Sequence, residues 1–387
     1  MHALLVKIAL IITGAIALFF PVGNNVANKK IETNTPQTPS QVVEVKNQDK
    51  EAATTTQKII TPVKATTSVV KITVEQPKKL AVETIPMPAT KSPGLKTLIP
   101  LEVLNEQVRA ATVNIFCTTK TGGDFKPISG SGVIISRSGV ILTNAHVAQY
   151  LLLKDYYTKG FMNCIARTGS PAMPSYRIEL LYMPESWLAQ NAKMIKQESP
   201  EGTGEDDYAL LLITGGVANT FIPSSFPFVD IDTDQKHVTG DVPVLLSGYP
   251  ANFLGGIETE RDLWITTSPA YLTKLYYFNE KGNVDAFSLG ANILAQKGVS
   301  GGAAVNQWSG LIQGLLTTIT GGNTTGARDL SAISTAHIAR SFKNNTGISL
   351  EEFVGGDTEA SLKDFTQKNL PGLIKTLIDA LDSEKAN

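Results

Sequence analysis

Short apolar runs separated by glycine and polar turn residues dominate the chain between residues 98 and 347. The runs are rich in Val, Ile, Leu and Thr, which is typical of β-strands. Because no long helical pattern separates them, the chain predicts a sandwich or barrels rather than a βαβ fold, and the span suits two small barrels. The predicted strands are residues 112–118, 130–135, 139–143, 163–167, 177–183, 208–213, 242–248, 263–267 and 311–319.

Helical spacing of apolar residues marks four other segments. Residues 100–111 predict a short helix before the first strand, and residues 185–195 predict one within an insertion. Residues 357–367 and 371–381 predict two helices in a C-terminal tail, residues 348–387. We expect the apolar face of the last helix to dock onto the domain formed by residues 98–347, and an oligomerisation or membrane-surface helix is the alternative. That face consists of Leu373, Ile374, Leu377, Ile378 and Leu381.

The N-terminal segment, residues 1–23, is almost wholly apolar. It has the length of a signal peptide and is just long enough to cross a bilayer. Since no good small-residue cleavage site follows, an uncleaved membrane anchor is favoured over a cleaved signal. Residues 24–97 are rich in Thr, Pro and Lys and contain no aromatic residue, so we expect a disordered linker. The remainder is then extracytoplasmic, anchored to the membrane by this segment or secreted.

Composition excludes several classes of protein. The formal net charge of −1 gives no indication of nucleic-acid binding. The chain has 2 cysteines, Cys117 and Cys164, which excludes a disulfide scaffold and a cysteine-based zinc ribbon. One disulfide or two free thiols remain open.

A serine between glycines, in the sequence Gly298-Val299-Ser300-Gly301-Gly302, is the first candidate for chemistry. Glycines allow a tight turn and a close approach of substrate to the backbone, and the turn's amides can stabilise an oxyanion. Ordinary loops also carry this pattern, so the motif alone is weak.

Two further residues give the serine a context. His146 directly follows a predicted strand, and Asp207 precedes the apolar run Tyr208-Ala209-Leu210-Leu211. A lone histidine at a strand end is usually structural, and an acid before a strand is often only solubilising. A buried aspartate beside an imidazole would, however, fix its tautomer and stabilise the imidazolium.

The order His146, Asp207, Ser300 and the residues around each resemble the trypsin-like serine peptidases of the chymotrypsin fold, nearest the bacterial HtrA-type branch. Residues 129–135 also match the family's second strand, and residues 329–333 its last strand. The resemblance implies a mainly β peptidase domain, residues 98–347, made of two six-stranded antiparallel barrels with flanking helices. It implies a serine endopeptidase that acts on polypeptide substrates without a cofactor or metal.

Each residue takes a role from this resemblance. His146 would be the general base, Asp207 would orient it, and Ser300 would be the nucleophile, with the amides of Gly298 and Ser300 as oxyanion hole. Val299 stands where digestive members have an aspartate that pairs with a new N-terminus, so we do not expect activation by that switch.

The resemblance also implies a specificity pocket beside Ser300. Its expected lining contains no acid, which disfavours cleavage after Lys or Arg and favours small or medium apolar residues. The lining residues would be Leu294, Ala295, Gln296, Leu315, Leu316 and Thr317.

Cys117 and Cys164 lie on strands that are neighbours in the family's first barrel. A disulfide between them is plausible outside the cytoplasm, and two buried thiols are the alternative. The C-terminal tail is too short for the PDZ domain usual in the HtrA-type branch, so regulation by peptide sensing is not expected. An inactive trypsin-fold protein used for binding or assembly is the competing interpretation of the whole chain.

Overall fold

Six strands of the chain form a closed antiparallel barrel. A computed structural model describes residues 97–120, 125–196, 204–251, 261–278, 282–321 and 328–385. The strands follow the order β1-β2-β3-β6-β5-β4, so that none of them is left with a free edge. One of the two predicted six-stranded barrels is therefore confirmed. The strands are β1 (Thr112–Thr119), β2 (Ile128–Ile134), β3 (Val140–Thr143), β4 (Met162–Thr168), β5 (Met173–Tyr182) and β6 (Ala209–Gly216).

The later strands form a sheet with seven members in the order β8-β7-β11-β12-β13-β10-β9. Its hydrogen-bonded ladder does not close. The prediction of a second closed six-stranded barrel is therefore wrong for the part of the chain that the structure describes. The strands are β7 (Pro243–Gly248), β8 (Thr266–Tyr271), β9 (Leu275–Tyr276), β10 (Ala286–Ser288), β11 (Ala303–Asn306), β12 (Ile312–Gly321) and β13 (Arg328–Ser334).

A bend between β8 and β9 explains why the ladder stays open. These two edge strands are consecutive in the chain, separated by residues 272–274. Since an extended residue spans at most about 3.6 Å, the two edges must lie close together, and the sheet curls round on itself. The Leu272 amide donates to Val242 O at 3.1 Å and the Thr273 amide to Ser288 O at 2.9 Å. The bent segment thus bonds first to Val242 and then to Ser288 instead of continuing one ladder. We call the sheet formed by β7 to β13 the curled sheet.

An apolar core joins the barrel to the curled sheet. Leu142 and Leu210 of the barrel belong to one buried cluster with Leu245 and Leu315 of the curled sheet. The helix α1 (Leu101–Ala111) adds its buried face to this cluster. The two units are therefore packed through side chains, and all described residues fall within one compact unit, Met87–Asn387.

The predicted docking of the last helix is confirmed. Leu373, Leu377 and Leu381 of the last helix, α7 (Leu370–Lys385), lie in one buried cluster. The cluster also contains Val113 of β1 and Trp187 of α3 (Glu185–Asn191). The α-helices are α2 (Ala145–Ala148), α3 (Glu185–Asn191), α4 (Thr335–Thr346), α5 (Leu350–Gly355), α6 (Thr358–Lys368) and α7 (Leu370–Lys385). Three 3₁₀ helices span Gln149–Leu153, Ala192–Lys196 and Gln235–His237.

The two cysteines lie opposite each other on neighbouring strands. Cys117 of β1 pairs in register with Cys164 of β4, and the structure joins their sulfurs in a disulfide. The alternative of two buried thiols does not apply to this structure. The bond ties two strands of the barrel on either side of the segment that carries His146.

Part of the predicted organisation lies outside the described residues. The N-terminal apolar segment and nearly all of the linker fall within residues 1–96. Within the described ranges, no helix is both long and apolar enough to cross a bilayer. The domain bounds at residues 23, 97 and 347 stay predictions.

Candidate active site

His146 and Asp207 meet because their strands are neighbours. β3 runs antiparallel to β6 with Thr143 opposite Ala209. His146 lies on α2, three residues beyond this pair, and Asp207 lies two residues before it. Since the end of β3 and the start of β6 are at the same edge of the barrel, the two side chains emerge side by side.

The two side chains form a close, partly buried pair. His146 Nδ1 lies 2.7 Å from Asp207 Oδ2, and the His146 amide donates to Asp207 Oδ1 at 2.9 Å. The side-chain amide of Asn144 donates to the backbone carbonyl of Asp207 at 2.8 Å. The imidazole is 20% exposed and the carboxylate 7%. The ring is thus held through Nδ1, and its other nitrogen, Nε2, is left for other chemistry.

The protonation of Asp207 follows from its surroundings. Burial alone would raise the pKa of this carboxyl, but the charge of His146 and the hydrogen bonds from His146 and Thr317 outweigh it. The pKa of Asp207 is therefore held below its ordinary value of 3.8. At neutral pH the group is a carboxylate, the form that holds an imidazole in one tautomer.

The neighbouring Asp206 has a different role. Its backbone takes the left-handed conformation, with φ of 58°, which aspartate tolerates better than most residues. Its carboxylate accepts hydrogen bonds from Ser186 of α3 and Ser341 of α4. Asp207 is therefore the acid that pairs with His146, as the sequence predicts.

Thr317 brings Ser300 to this pair. The Thr317 hydroxyl donates to Asp207 Oδ2 at 3.1 Å, and its carbonyl accepts a hydrogen bond from Ser300 Oγ at 3.3 Å. A single residue, Thr317, therefore links Ser300 to the histidine–aspartate pair. Its hydroxyl hydrogen bond goes to Thr317 rather than to His146.

The turn around Ser300 requires its glycines. Gly298 and Gly301 have φ of 93° and 89°, in the left-handed region that glycine favours. A Cβ on Gly301 would also lie 1.9 Å from the Ser131 carbonyl oxygen, so no larger residue fits there. Val299, between Gly298 and Ser300, is fully buried in the core of the curled sheet.

This turn presents three successive backbone amides, those of Gly298, Val299 and Ser300. Among the described residues, the amides of Gly298, Val299 and Ser300 have no hydrogen-bond acceptor, whereas those of Gly301 and Gly302 donate to Leu316 O and Val299 O. Backbone donors near the protein interior are nearly always paired, so adjacent free amides suit an anionic oxygen.

The six residues predicted to line a specificity pocket are all buried. Leu294, Ala295 and Leu316 lie in the core of the curled sheet, and Leu315 lies in the core shared with the barrel. The four apolar side chains therefore contribute to packing. Gln296 donates to Ile293 O at 2.6 Å, and Thr317 contacts Asp207 as described above. The assignment of these six residues to a specificity pocket stays a prediction.

Two other histidines also pair with aspartates. His237, expected to be solvated, is 52% exposed, yet its Nδ1 lies 2.9 Å from Asp232 Oδ2. His337, expected to cap or cover a helix, is the third residue of α4, where its amide is capped by the Ser334 hydroxyl. Its Nδ1 lies 2.8 Å from Asp285 Oδ1. Within the described ranges no hydroxyl donates to the carboxylate of Asp232 or Asp285, so neither pair repeats the link that Thr317 makes from Asp207 to Ser300.

No family model matches the sequence, and no curated protein does. Among solved structures, the chain is similar to "Crystal structure of Deg5", with 15% sequence identity and a TM-score of 0.41 over 64% of this chain and 94% of that one. A likeness at this level carries no functional conclusion. The function has to be argued from the geometry of the site.

Proposed function

We propose that this protein is a trypsin-like serine endopeptidase of the chymotrypsin fold, with His146, Asp207 and Ser300 as its catalytic triad. The observation that carries the proposal is the chain of contacts from Ser300 through Thr317 to Asp207 and from Asp207 to His146. These contacts bring together three residues that span 154 positions of the sequence, from His146 to Ser300. The order of the three residues along the chain supports the same assignment.

The chemistry follows from the hydrogen bonds. Because Nδ1 of His146 is engaged with Asp207, Nε2 is the nitrogen that takes the proton from Ser300 Oγ. The oxygen then attacks the peptide carbonyl, and the negative charge that develops is stabilised by the amides of Gly298 and Ser300. His146 gives its proton to the leaving amine. Water then attacks the acyl-enzyme while His146 takes a proton from it, and His146 returns that proton to Ser300 Oγ as the acid product leaves.

One movement is required before attack. Ser300 Oγ has to leave the Thr317 carbonyl and turn toward His146. Serine side chains exchange between staggered rotamers, so we propose that this movement is a rotation about χ1. Substrate in the cleft would favour the rotamer directed at His146.

The expected substrate and location rest on the sequence. We propose cleavage of polypeptides after small or medium apolar residues, outside the cytoplasm, by an enzyme tethered through residues 1–23. The disulfide between Cys117 and Cys164 supports an oxidising compartment. A peptide-library profile with Lys or Arg before the cleaved bond would contradict the substrate preference.

Labelling with a fluorophosphonate tests the proposal. The full chain should react covalently, Ser300→Ala should not react, and the exposed control Ser309→Ala should react like wild type. Thermal unfolding of each variant shows that the labelled or unlabelled protein is folded. No labelling of the folded wild type, or labelling that persists in Ser300→Ala, would exclude a serine peptidase.

The same experiment separates the competing function. A trypsin-fold binding protein without activity is favoured by one observation, the hydrogen bond of Ser300 to Thr317 instead of His146. If that bond were permanent, the wild-type chain would fold and not react. Reaction of the wild-type chain excludes this alternative.

A further inference from the structure

Ser131 of β2 is a fully buried polar residue that contacts the Ser300 turn. Its amide donates to the Ser300 carbonyl at 2.7 Å, and its hydroxyl donates to the Gly298 carbonyl at 2.7 Å. The hydroxyl also accepts the Tyr249 amide at 2.9 Å. One residue of the barrel therefore holds two carbonyls of a turn that belongs to the curled sheet.

Ser131 is itself held firmly in place. Its carbonyl accepts the Thr143 hydroxyl at 2.7 Å, and its strand pairs with β1 and β3. A side chain inside a closed ladder, with its hydroxyl bonded on both sides, has a single position available. Ser131 can therefore hold the glycine turn, whose backbone has more conformations available, in one position.

Every peptide group of the turn is fixed by a bond to its carbonyl. The carbonyl of Lys297 accepts from the Ala251 amide at 2.8 Å, and that of Val299 accepts from the Gly302 amide at 2.8 Å. Ser131 holds the other two, on Gly298 and Ser300. In a trans peptide the carbonyl and the amide point in opposite directions. Pinning the four carbonyls therefore also sets the direction of the amides that follow them.

Gly298 is the place where this arrangement is least secure. Glycine has the widest choice of backbone angles, so the two peptides on either side of Gly298 can turn over at little cost. The bond from the Ala251 amide opposes rotation of the first, and the Ser131 hydroxyl opposes rotation of the second. Among the described residues, Ser131 is the one whose side chain holds this part of the turn.

The two carbonyls that Ser131 holds precede the amides of Val299 and Gly301, so its hydroxyl fixes the Gly298–Val299 peptide, which joins the two oxyanion-hole donors. We propose that Ser131 is a positioning residue that, through this peptide, holds the oxyanion hole in its competent orientation before substrate binds. The inference rests on the proposed peptidase function. It assigns a role to the Gly130-Ser131-Gly132 segment beyond that of a strand. It also explains how the turn keeps its shape with Val299, rather than an aspartate, before the nucleophile.

The test compares Ser131→Ala with Ser129→Ala in the full chain. Ser129 is a matched control, since it lies on the same strand and its hydroxyl accepts a hydrogen bond from Asn114 instead of contacting the turn. We expect Ser131→Ala to lower kcat by roughly 10- to 100-fold. This loss is no larger than the loss in kcat that follows removal of a direct oxyanion donor. KM should change little, and Ser129→Ala should behave like wild type.

An oxyanion-specific readout separates positioning from stability. A peptidyl aldehyde ending in valine forms a tetrahedral adduct with an oxyanion, whereas the matching alcohol does not. Ser131→Ala should reduce the preference for the aldehyde over the alcohol by a factor similar to the loss of kcat. The pH profile of kcat/KM should stay unchanged because His146 and Asp207 are untouched, and Ser131→Cys should recover part of the loss.

The outcomes distinguish the two proposals. An active wild type with an unchanged kcat and aldehyde preference in Ser131→Ala would overturn the role of Ser131 and leave the peptidase intact. Equal losses in Ser131→Ala and Ser129→Ala, parallel to a lower Tm, would also overturn it. A wild type that neither cleaves nor reacts with the fluorophosphonate would instead remove the peptidase function.

Discussion

The hydroxyl of Thr317 lies 3.1 Å from Oδ2 of Asp207, on the oxygen that also contacts His146. Thr317 belongs to β12 of the curled sheet, whereas Asp207 precedes β6 of the barrel. The contact therefore crosses from one β unit to the other. It links the orientation of the histidine–aspartate pair to the position of the segment that carries Ser300.

Replacing this hydroxyl should weaken the site with little change in volume. Thr317→Val removes a donor to a buried carboxylate, which costs on the order of 1 to 3 kcal/mol. We expect the pKa of Asp207 to rise and kcat/KM to fall by about two- to tenfold if half of that cost is felt in the transition state. Steady-state kinetics measures the effect, with Thr273→Val as control, since the Thr273 hydroxyl hydrogen-bonds Ser288 instead of Asp207. Equal activity of both variants would contradict this role.

Asp207→Asn should change both activity and the pH dependence of stability. Because the folded pKa of Asp207 is lowered, its contribution to stability is present above the ordinary value of 3.8 and is lost as pH falls through the lower folded pKa. The difference in unfolding free energy between wild type and Asp207→Asn should therefore shrink as pH falls below about 4, as urea titrations at several pH values would measure. The variant should also lose roughly three to four orders of magnitude in kcat, since the imidazole tautomer is no longer fixed. A pH-independent difference in stability would contradict the lowered pKa.

The disulfide should stabilise the barrel measurably. Cys117 and Cys164 are 47 residues apart, and closing a loop of that length in the unfolded chain is worth about 4 kcal/mol in the chain-entropy model. The double variant Cys117→Ser, Cys164→Ser should show a correspondingly lower unfolding free energy in denaturant. Mass mapping without reduction should find the two peptides linked, and free thiols at both positions in exported protein would refute the bond.

The last helix should contribute to the stability of the barrel. Leu377 is fully buried in the barrel core cluster, so Leu377→Ala should cost about 2 to 5 kcal/mol. Lys375 on the exposed side of the same helix is the control, and Lys375→Ala should cost less than about 1 kcal/mol. Thermal or denaturant unfolding measures both. A Leu377→Ala variant as stable as Lys375→Ala would mean that α7 does not dock in solution.

The three residues of the proposed triad can be named from the sequence because each leaves a local signal. His146 follows a strand, Asp207 precedes one, and Ser300 lies between glycines, so short windows of sequence suffice. The contacts of Thr317 and Ser131 leave no such signal, because they join residues 110 and 167 positions apart. Thr317 was predicted only as a pocket residue, and Ser131 only as part of a strand.

The second β unit shows the limit of strand patterns. The sequence does not predict β9, β10 and β11. β9 and β10 span only two and three residues, which is too short for a periodic signal. The bend at residues 272–274 likewise depends on how the sheet curls. The number of strands and the failure of the ladder to close therefore required the structure.

The position of Leu373, Leu377 and Leu381 in the barrel core has a consequence for biosynthesis. His146 and Asp207 are translated more than 150 residues before Leu381 (381 − 207 = 174), yet all contribute to one barrel or its packing. During vectorial synthesis the barrel has an incomplete core until α7 has emerged, and domains fold as units once their parts are present. We expect the barrel to complete its apolar core only after translation has passed this helix.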